Sequence, residues 1–304
     1  MAILLTIYHF YVRCIILIVR CYLCNSEKIK KIKTIRKIDI FSCQDCELGF
    51  INKKEYDRYN PEKLYNFRKY NNEVKKLTLR YRALVKEILK YKNKGKLLDV
   101  GAGYGLLSSI FYQFGNFKVN IIEQKNQIRY LKQNQYKIYK TLYENFLYSK
   151  LNTKYDLILM FDVLEHFKNP FKNLSDTKSI LKKDGVLVIQ TPNYLSLMAY
   201  LCRNWSWWMI EDHKYFFTPN SLKLFLTKSR YKIRYLKTYE DAIDFKKNLD
   251  GNFMFINNIM IRKLIKIIFY SLFFPFYFIF RRIIWKLGYG GLIFLIADQN
   301  EKKS

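Results

Sequence analysis

Apolar residues in this chain gather in short runs, one that stops at Asp99 and others within Lys118–Ile122, Tyr155–Met160, Val186–Gln190 and Gly291–Ala297. Runs this short, bounded by turn residues, predict strands buried on both faces. Lys232–Thr238 predicts another strand, and a weak strand signal precedes Glu144. Between the runs, apolar positions return at helical spacing. Leu77, Tyr81, Leu84, Val85, Ile88 and Leu89 predict a helix within 55–92, Leu106–Gln113 a helix directly after the first strand, Asn169-Pro170 the start of another, and Ser221–Ser229 a further one. This recurring strand, helix, strand grammar predicts an α/β domain with a mainly parallel sheet.

Two apolar segments depart from the grammar. Residues 1–20 carry His9 and Arg13 inside an otherwise apolar run, which reads either as an amphipathic anchor or as an upstream extension of the reading frame. Residues 267–280 form a run of fourteen apolar and aromatic residues around Pro275, flanked by Lys263, Lys266, Arg281, Arg282 and Lys286. That run falls short of the roughly 20 residues a spanning helix needs. Cationic flanks around an aromatic slab suit a membrane interface, and burial against the domain or a dimer contact is the alternative.

The first buried run stops at Asp99 and passes into glycines at 101, 103 and 105. A glycine loop at a strand end lets backbone approach a ligand closely. Dinucleotides and S-adenosylmethionine both use such a turn, but the dinucleotide fingerprint G-x-G-x-x-G needs a glycine where Leu106 stands. Glu123, about twenty residues on, ends the second strand, where a carboxylate can accept hydrogen bonds from ribose hydroxyls.

Charge and cysteines sharpen the picture. The 304 residues hold 54 Lys and Arg against 25 Asp and Glu, a net charge of +29. The excess is spread as single lysines along the whole length, so it does not single out nucleic acid. It suits anionic partners such as nucleotide-linked sugars, phosphates or the cytoplasmic leaflet. Of six cysteines, Cys21 and Cys24 precede Cys43 and Cys46 by eighteen residues. Two C-x-x-C pairs at that separation predict a tetrahedral structural Zn²⁺ and a reducing compartment. Lys28, Lys30, Lys31, Lys33, Arg36 and Lys37 then form the solvated face of the hairpin between the knuckles.

The glycine loop resembles the D-x-G-x-G-x-G motif of class I S-adenosylmethionine-dependent methyltransferases. Two further phrases follow in that family's order, Asp162-Val163-Leu164-Glu165-His166 and Leu181-Lys182-Lys183-Asp184-Gly185 running to Thr191-Pro192-Asn193. The cysteine segments resemble a ribbon that precedes the catalytic domain in bacterial methyltransferases of sugars and related small molecules. Tyr22 and Asn25 stand where those relatives have proline and glycine.

The resemblance implies a Rossmann-like seven-stranded methyltransferase sheet, its last strand antiparallel, with a small N-terminal zinc ribbon. The division it implies is an extension at 1–20, the ribbon at 21–52 and the methyltransferase domain at 53–300, with a substrate lid at 194–220 and the apolar insert at 260–287. It also implies S-adenosylmethionine as cofactor, bound by Asp99, Gly101, Gly103, Gly105 and Glu123. Glu144, Asn145 and Phe146 would meet the adenine, and Asp162 would sit beside the reacting methyl. Tyr56, Tyr59 and Tyr65 match the aromatic segment that reaches over the ligand.

The phrase from Glu211 to Leu222 also resembles the ribbon group, in which the histidine faces substrate. His213 is therefore the candidate base for a hydroxyl or an acidic carbon, and His166 the residue that orients substrate. Some quinone O-methyltransferases hold a divalent cation with a similar pair, a role open here to Asp162, Glu165 and His166.

The leading expectation is methyl transfer to a nucleotide-linked or lipid-linked sugar, or a glycolipid precursor of cell-surface polysaccharide. The enzyme would be cytoplasmic, peripheral on the inner face of the cell membrane. An O-methyltransferase of a membrane quinone or lipid and a non-catalytic zinc-dependent binding module remain open. Ribbon relatives that methylate sugar carbons carry a further C-terminal domain, whereas this chain ends soon after its last strand.

Overall fold

The computed structural model describes residues 20–52, 67–114, 116–124, 128–131, 136–149, 153–240 and 242–299. Residues 1–19 of the N-terminal stretch and Tyr56, Tyr59 and Tyr65 lie outside the described residues. In chain order the strands are β1 (Ile29–Ile35), β2 (Ile38–Cys43), β3 (Gly49–Ile51), β4 (Gly95–Val100), β5 (Phe117–Ile122), β6 (Lys137–Tyr139), β7 (Tyr155–Phe161), β8 (Leu181–Pro192), β9 (Tyr215–Phe216), β10 (Tyr231–Tyr239) and β11 (Leu292–Gln299). The helices are α1 (Phe67–Leu89), α2 (Leu106–Gln113), α3 (Tyr143–Ser149), α4 (Pro170–Thr177), α5 (Leu197–Leu201), α6 (Pro219–Lys228), α7 (Ala242–Asn252) and α8 (Ile259–Lys286).

Seven strands form one sheet in the order β10-β11-β8-β7-β4-β5-β6. The five from β8 to β6 are parallel, and β11 runs antiparallel between β8 and β10, as expected for a closing strand. Every residue of β7 is buried, because helices cover both faces of a central parallel strand and an apolar run is what such a position demands. Leu84, Val85, Ile88, Leu107 and Ile110 pack on one face; Leu147, Leu174, Leu222 and Phe225 pack on the other. Successive strands run outward from β4 in opposite directions, so a crevice opens beyond the carboxyl ends of β4 and β7, the usual ligand position in an open α/β sheet.

The ribbon is not a separate appendage. β1, β2 and β3 form a four-stranded sheet with β9, a strand of the 194–220 segment, through Gly49 opposite Phe216 and Phe50 opposite Tyr215. The Ser42 and Tyr194 hydroxyls bond at 2.8 Å. Glu47 receives Thr218 Oγ1 at 2.9 Å and Asn220 Nδ2 at 3.1 Å. The first knuckle closes without its usual glycine because Asn25 takes φ 62°, a left-handed conformation that asparagine tolerates better than most residues.

The apolar run at 267–280 is the middle of a single helix of 28 residues, α8, which carries Pro275 inside it. The Asn258 side chain caps its start by accepting from the amides of Met260 and Ile261.

Candidate active site

At the end of β4 the chain turns through three left-handed glycines, with φ 68° at Gly101, 56° at Gly103 and 82° at Gly105. A Cβ at Gly101 would stand 2.6 Å from Val163 Cγ2, so that glycine lets the loop pack on the end of β7. At Gly103 a Cβ would meet nothing within 4 Å; there the backbone faces open space, as a ligand cradle requires. The Gly103 amide donates to Glu123 Oε2 at 2.8 Å, which fixes the carboxylate ending β5 against the loop. Asp99 is 2% exposed and accepts from Ser108 Oγ at 2.6 Å. Burial pushes its pKa up to about 7, the Ser108 hydrogen bond opposes the rise, and the nearby Glu123 charge adds to it.

Asp162, at the end of β7, holds φ 53°, a costly conformation for a non-glycine residue and one that clusters at functional sites. Its carboxylate accepts from Gln190 Nε2 at 3.2 and 3.0 Å. The helix expected within 55–92 covers this side: Tyr70 of α1 lies 4.6 Å from Tyr104, and Tyr81 lies edge-on to Phe161 at 6.2 Å. Glu144, Asn145 and Phe146 lie on α3, beyond β6. Glu144 accepts from Asn173 Nδ2 at 3.0 Å, Asn145 is exposed, and Phe146 is fully buried with its ring 4.8 Å from Tyr139.

The other wall starts at a helical turn, Leu164–His166, directly after Asp162. Glu165 is 1% exposed; its Oε2 accepts from Thr191 Oγ1 at 2.9 Å, and its Oε1 has no partner among the described residues. Burial raises its pKa against the opposing charge of His166. His166 Nδ1 stands 2.9 Å from Asp212 Oδ1. Burial pulls the imidazole down, but the Asp212 hydrogen bond and charge outweigh it and hold the pKa up at about 9. His213 is 1% exposed, its ring 4.8 Å from that of His166 and stacked on Trp207 at 6.1 Å. Burial, then the His166 charge, drive its pKa down to about 3. One histidine is therefore charged at neutral pH and its neighbour is not.

The β4 loop and the β7 end thus meet, Gly101 against Val163, with the carboxylates of Asp99, Glu123 and Asp162 held at the strand ends. A family model described as a methyltransferase domain matches residues 71–235, which span α1 to β10. The chain belongs to the methyltransferase domain family. Among curated relatives, the ubiquinone biosynthesis O-methyltransferase of Pelagibacter ubique is 35% identical over 103 residues, covering 32% of this chain and 42% of that protein. The one from Bartonella tribocorum is 27% identical over 178 residues, covering 53% and 72%. The chain thus spans under half the length of the first of these relatives.

Two solved structures share the fold. The plantazolicin methyltransferase BpumL in complex with SAH has a TM-score of 0.52 at 15% identity, covering 82% of this chain and 96% of its own. A SAM dependent methyltransferase from Archaeoglobus fulgidus has a TM-score of 0.51 at 18% identity, covering 76% and 99%.

In this methyltransferase-family chain the four predicted cysteines converge. Their Sγ atoms all lie within 4.8 Å of one another, Cys21 to Cys46 at 3.4 Å and Cys24 to Cys43 at 3.5 Å. Four sulfurs around one Zn²⁺ at 2.3 Å would stand about 3.8 Å apart, so the set fits a tetrahedral ion. A second close set is Glu165, His166 and His213, also within 4.8 Å; it takes in His213 where the sequence had offered Asp162.

Sequence reasoning missed three residues that shape the site. Asp212 sits inside a phrase already singled out, but its partner His166 is 46 residues away. Gln190 and Thr191 hold Asp162 and Glu165, and the available signal was two buried polar side chains directly after the apolar run Val186–Ile189.

Proposed function

We propose that this chain is an S-adenosylmethionine-dependent methyltransferase that acts on a small-molecule acceptor in the cytoplasm. The carrying observation is the glycine loop pinned to Glu123 through the Gly103 amide, at the point where the strand order turns. Open space above Gly103 and the half-buried Glu123 beside it fit an adenosyl ligand. Asp99 and Gly101 to Gly105 would hold its amino-acid and sugar parts together with Glu123, while Glu144, Asn145 and Phe146 would frame the adenine side. When bound, S-adenosylmethionine supplies a methyl group already activated on a positive sulfur.

Positioning is then the main task of the protein, worth roughly 7 to 11 kcal/mol when two reactants are held in attack geometry. Asp162 lines the β7 end beside the acceptor. The charged His166, oriented by Asp212, donates to an acceptor oxygen. His213 is neutral and accepts the acceptor's proton. Its low pKa makes it a base only toward an atom that methylation has rendered strongly acidic, and such a base contributes on the order of 10² to 10⁴ in rate. Cys21, Cys24, Cys43 and Cys46 hold a structural Zn²⁺, which stiffens the ribbon that shares its sheet with β9 of the lid.

The acceptor we favour is a sugar or glycolipid precursor of cell-surface polysaccharide, nucleotide-linked or lipid-linked, met on the inner face of the cell membrane. The basic surface and the ribbon support it. A membrane quinone or lipid as the O-methylated acceptor is the second reading, favoured by the names of the curated relatives and by α8. Labelled methyl uptake from S-adenosylmethionine into nucleotide-sugars or into lipid extracts separates the two. Binding without transfer to either would leave a zinc-dependent binding module.

A further inference from the structure

α8 is built with two unlike faces. Phe269, Tyr270, Phe273 and Tyr277 turn inward, where Phe245 of α7 stacks on Tyr277 at 4.2 Å and Phe253 meets Phe269 at 5.3 Å. Asp250 of α7 binds both Lys266 Nζ and the Tyr270 hydroxyl at 2.7 Å. The other face is an apolar stripe, Leu264, Ile268, Leu272, Phe276, Ile279 and Ile283, with Phe276 65% and Ile279 69% exposed. A continuous exposed apolar face of this length marks an interaction site. The helix also carries six cations and no Asp or Glu among its 28 residues. At its C-terminal end, Lys223, Arg282, Lys286, Trp285 and Tyr289 line a recess of about 590 Å³, with Glu47 on the wall already held by Thr218 and Asn220.

We propose that the outer face of α8 docks in the headgroup and acyl boundary of a bilayer rich in anionic phospholipid. The stripe would enter the acyl edge, and the cations and the recess would meet lipid phosphates. Charge decides between the occupants of this face. Asp250 neutralises Lys266, but two copies related by a two-fold axis would still bring the other five cations of each helix against their like, whereas an anionic bilayer satisfies both the stripe and its charge.

By length and composition alone α8 is able to cross a membrane. Two features lay it flat instead. The inward face is occupied by α7, and the uncharged run of fourteen residues spans about 21 Å against a hydrocarbon core of roughly 30 Å. Docking would place the lid beside the bilayer, because Asn248 of α7 accepts from the amide of Ser206 at 2.6 Å. The proposal deepens the inner-face part of the proposed function, yet its test needs neither methyl donor nor acceptor.

The full chain is sedimented with vesicles of phosphatidylglycerol and phosphatidylcholine, and with phosphatidylcholine alone. Strong pelleting with the anionic vesicles only is expected. Phe276→Asp with Ile279→Asp, both outward on the helix, should abolish it. Arg282→Glu with Lys286→Glu should lower partitioning about 30-fold or more, at roughly 1 kcal/mol per lost cation. Circular dichroism and S-adenosylmethionine calorimetry on each variant show whether the fold and the crevice persist, so loss of docking and loss of the methyl-transfer reading are told apart. Protein that stays in the supernatant with anionic vesicles, or pelleting unchanged in the Asp variant, overturns the proposal. So does resistance to alkaline extraction, which marks a spanning helix, or a lipid-free dimer that the Asp variant dissociates.

Discussion

The two walls of the crevice are made in opposite ways. The wall proposed for the methyl donor is local: Asp99, the three glycines and Ser108 lie within ten residues, and Glu123 joins them from the very next strand. The wall proposed for the acceptor is assembled from afar, with Glu165 and His166 after β7, Thr191 at the end of β8, and Asp212 and His213 from the 194–220 segment, whose β9 pairs with the ribbon sheet. A local wall can be kept by one short motif while the assembled wall is rebuilt for a new acceptor. This explains how a common donor site can serve many acceptors.

The comparison breaks most sharply at the ribbon. Zinc removal by a chelator, or Cys43→Ser, should unfold residues 20–52, since a structural zinc supplies about 10 to 16 kcal/mol in isolated fingers. With β3 gone from β9, turnover should fall to background while S-adenosylmethionine still binds. Metal content by mass spectrometry, proteolysis and calorimetry read the three consequences; equal loss of donor binding would mean that the walls are not separable.

Within the acceptor wall, His213→Ala should lower kcat by about 10² or more and leave donor affinity unchanged. An unaltered kcat removes His213 as the base.

A smaller effect lies in the pH dependence of stability. His166 is raised in the fold to about 9, so its stabilising contact with Asp212 is complete below its unfolded value of 6.5 and is lost as pH rises through 9. Asp99, raised to about 7, also loses stability, as pH climbs from its ordinary value of 3.8 through 7. His213, lowered to about 3, acts in the opposite sense and loses stability as pH falls below 6.5. Glu165, raised by burial to about 8, acts in the same sense as Asp99, so His213 offsets the two only in part below pH 6.5, and stability should decline above that, with His166 contributing on the order of 3 kcal/mol up to pH 9. Asp212→Asn should flatten this decline in denaturant titrations, and an unchanged slope would show that the ion pair does not form.

Legibility in the sequence follows the same division. The buried strands, the helix at Leu106–Gln113, the glycine turn, Glu123 and the cysteine set were readable because each is fixed by neighbours in the chain. Pairing of β9 with the ribbon was not, since two residues carry no periodic signal. Asp212 facing His166 was hidden because nothing near Asp212 marks a partner 46 residues away. The sequence shows only the uncharged run of fourteen in α8, because cations mark boundaries in an apolar stretch, whereas the helix continues through them from Ile259 to Lys286.

The central claim is that the donor wall, from Asp99 through the glycines to Glu123, holds S-adenosylmethionine. Calorimetric titration of the full chain with S-adenosylmethionine and with its demethylated product tests it most directly, alongside Glu123→Ala. Single-site binding is expected, weakened about 10- to 100-fold in the variant by loss of charge-assisted hydrogen bonds. Absence of heat with the unaltered chain, or equal affinity in the variant, would contradict it.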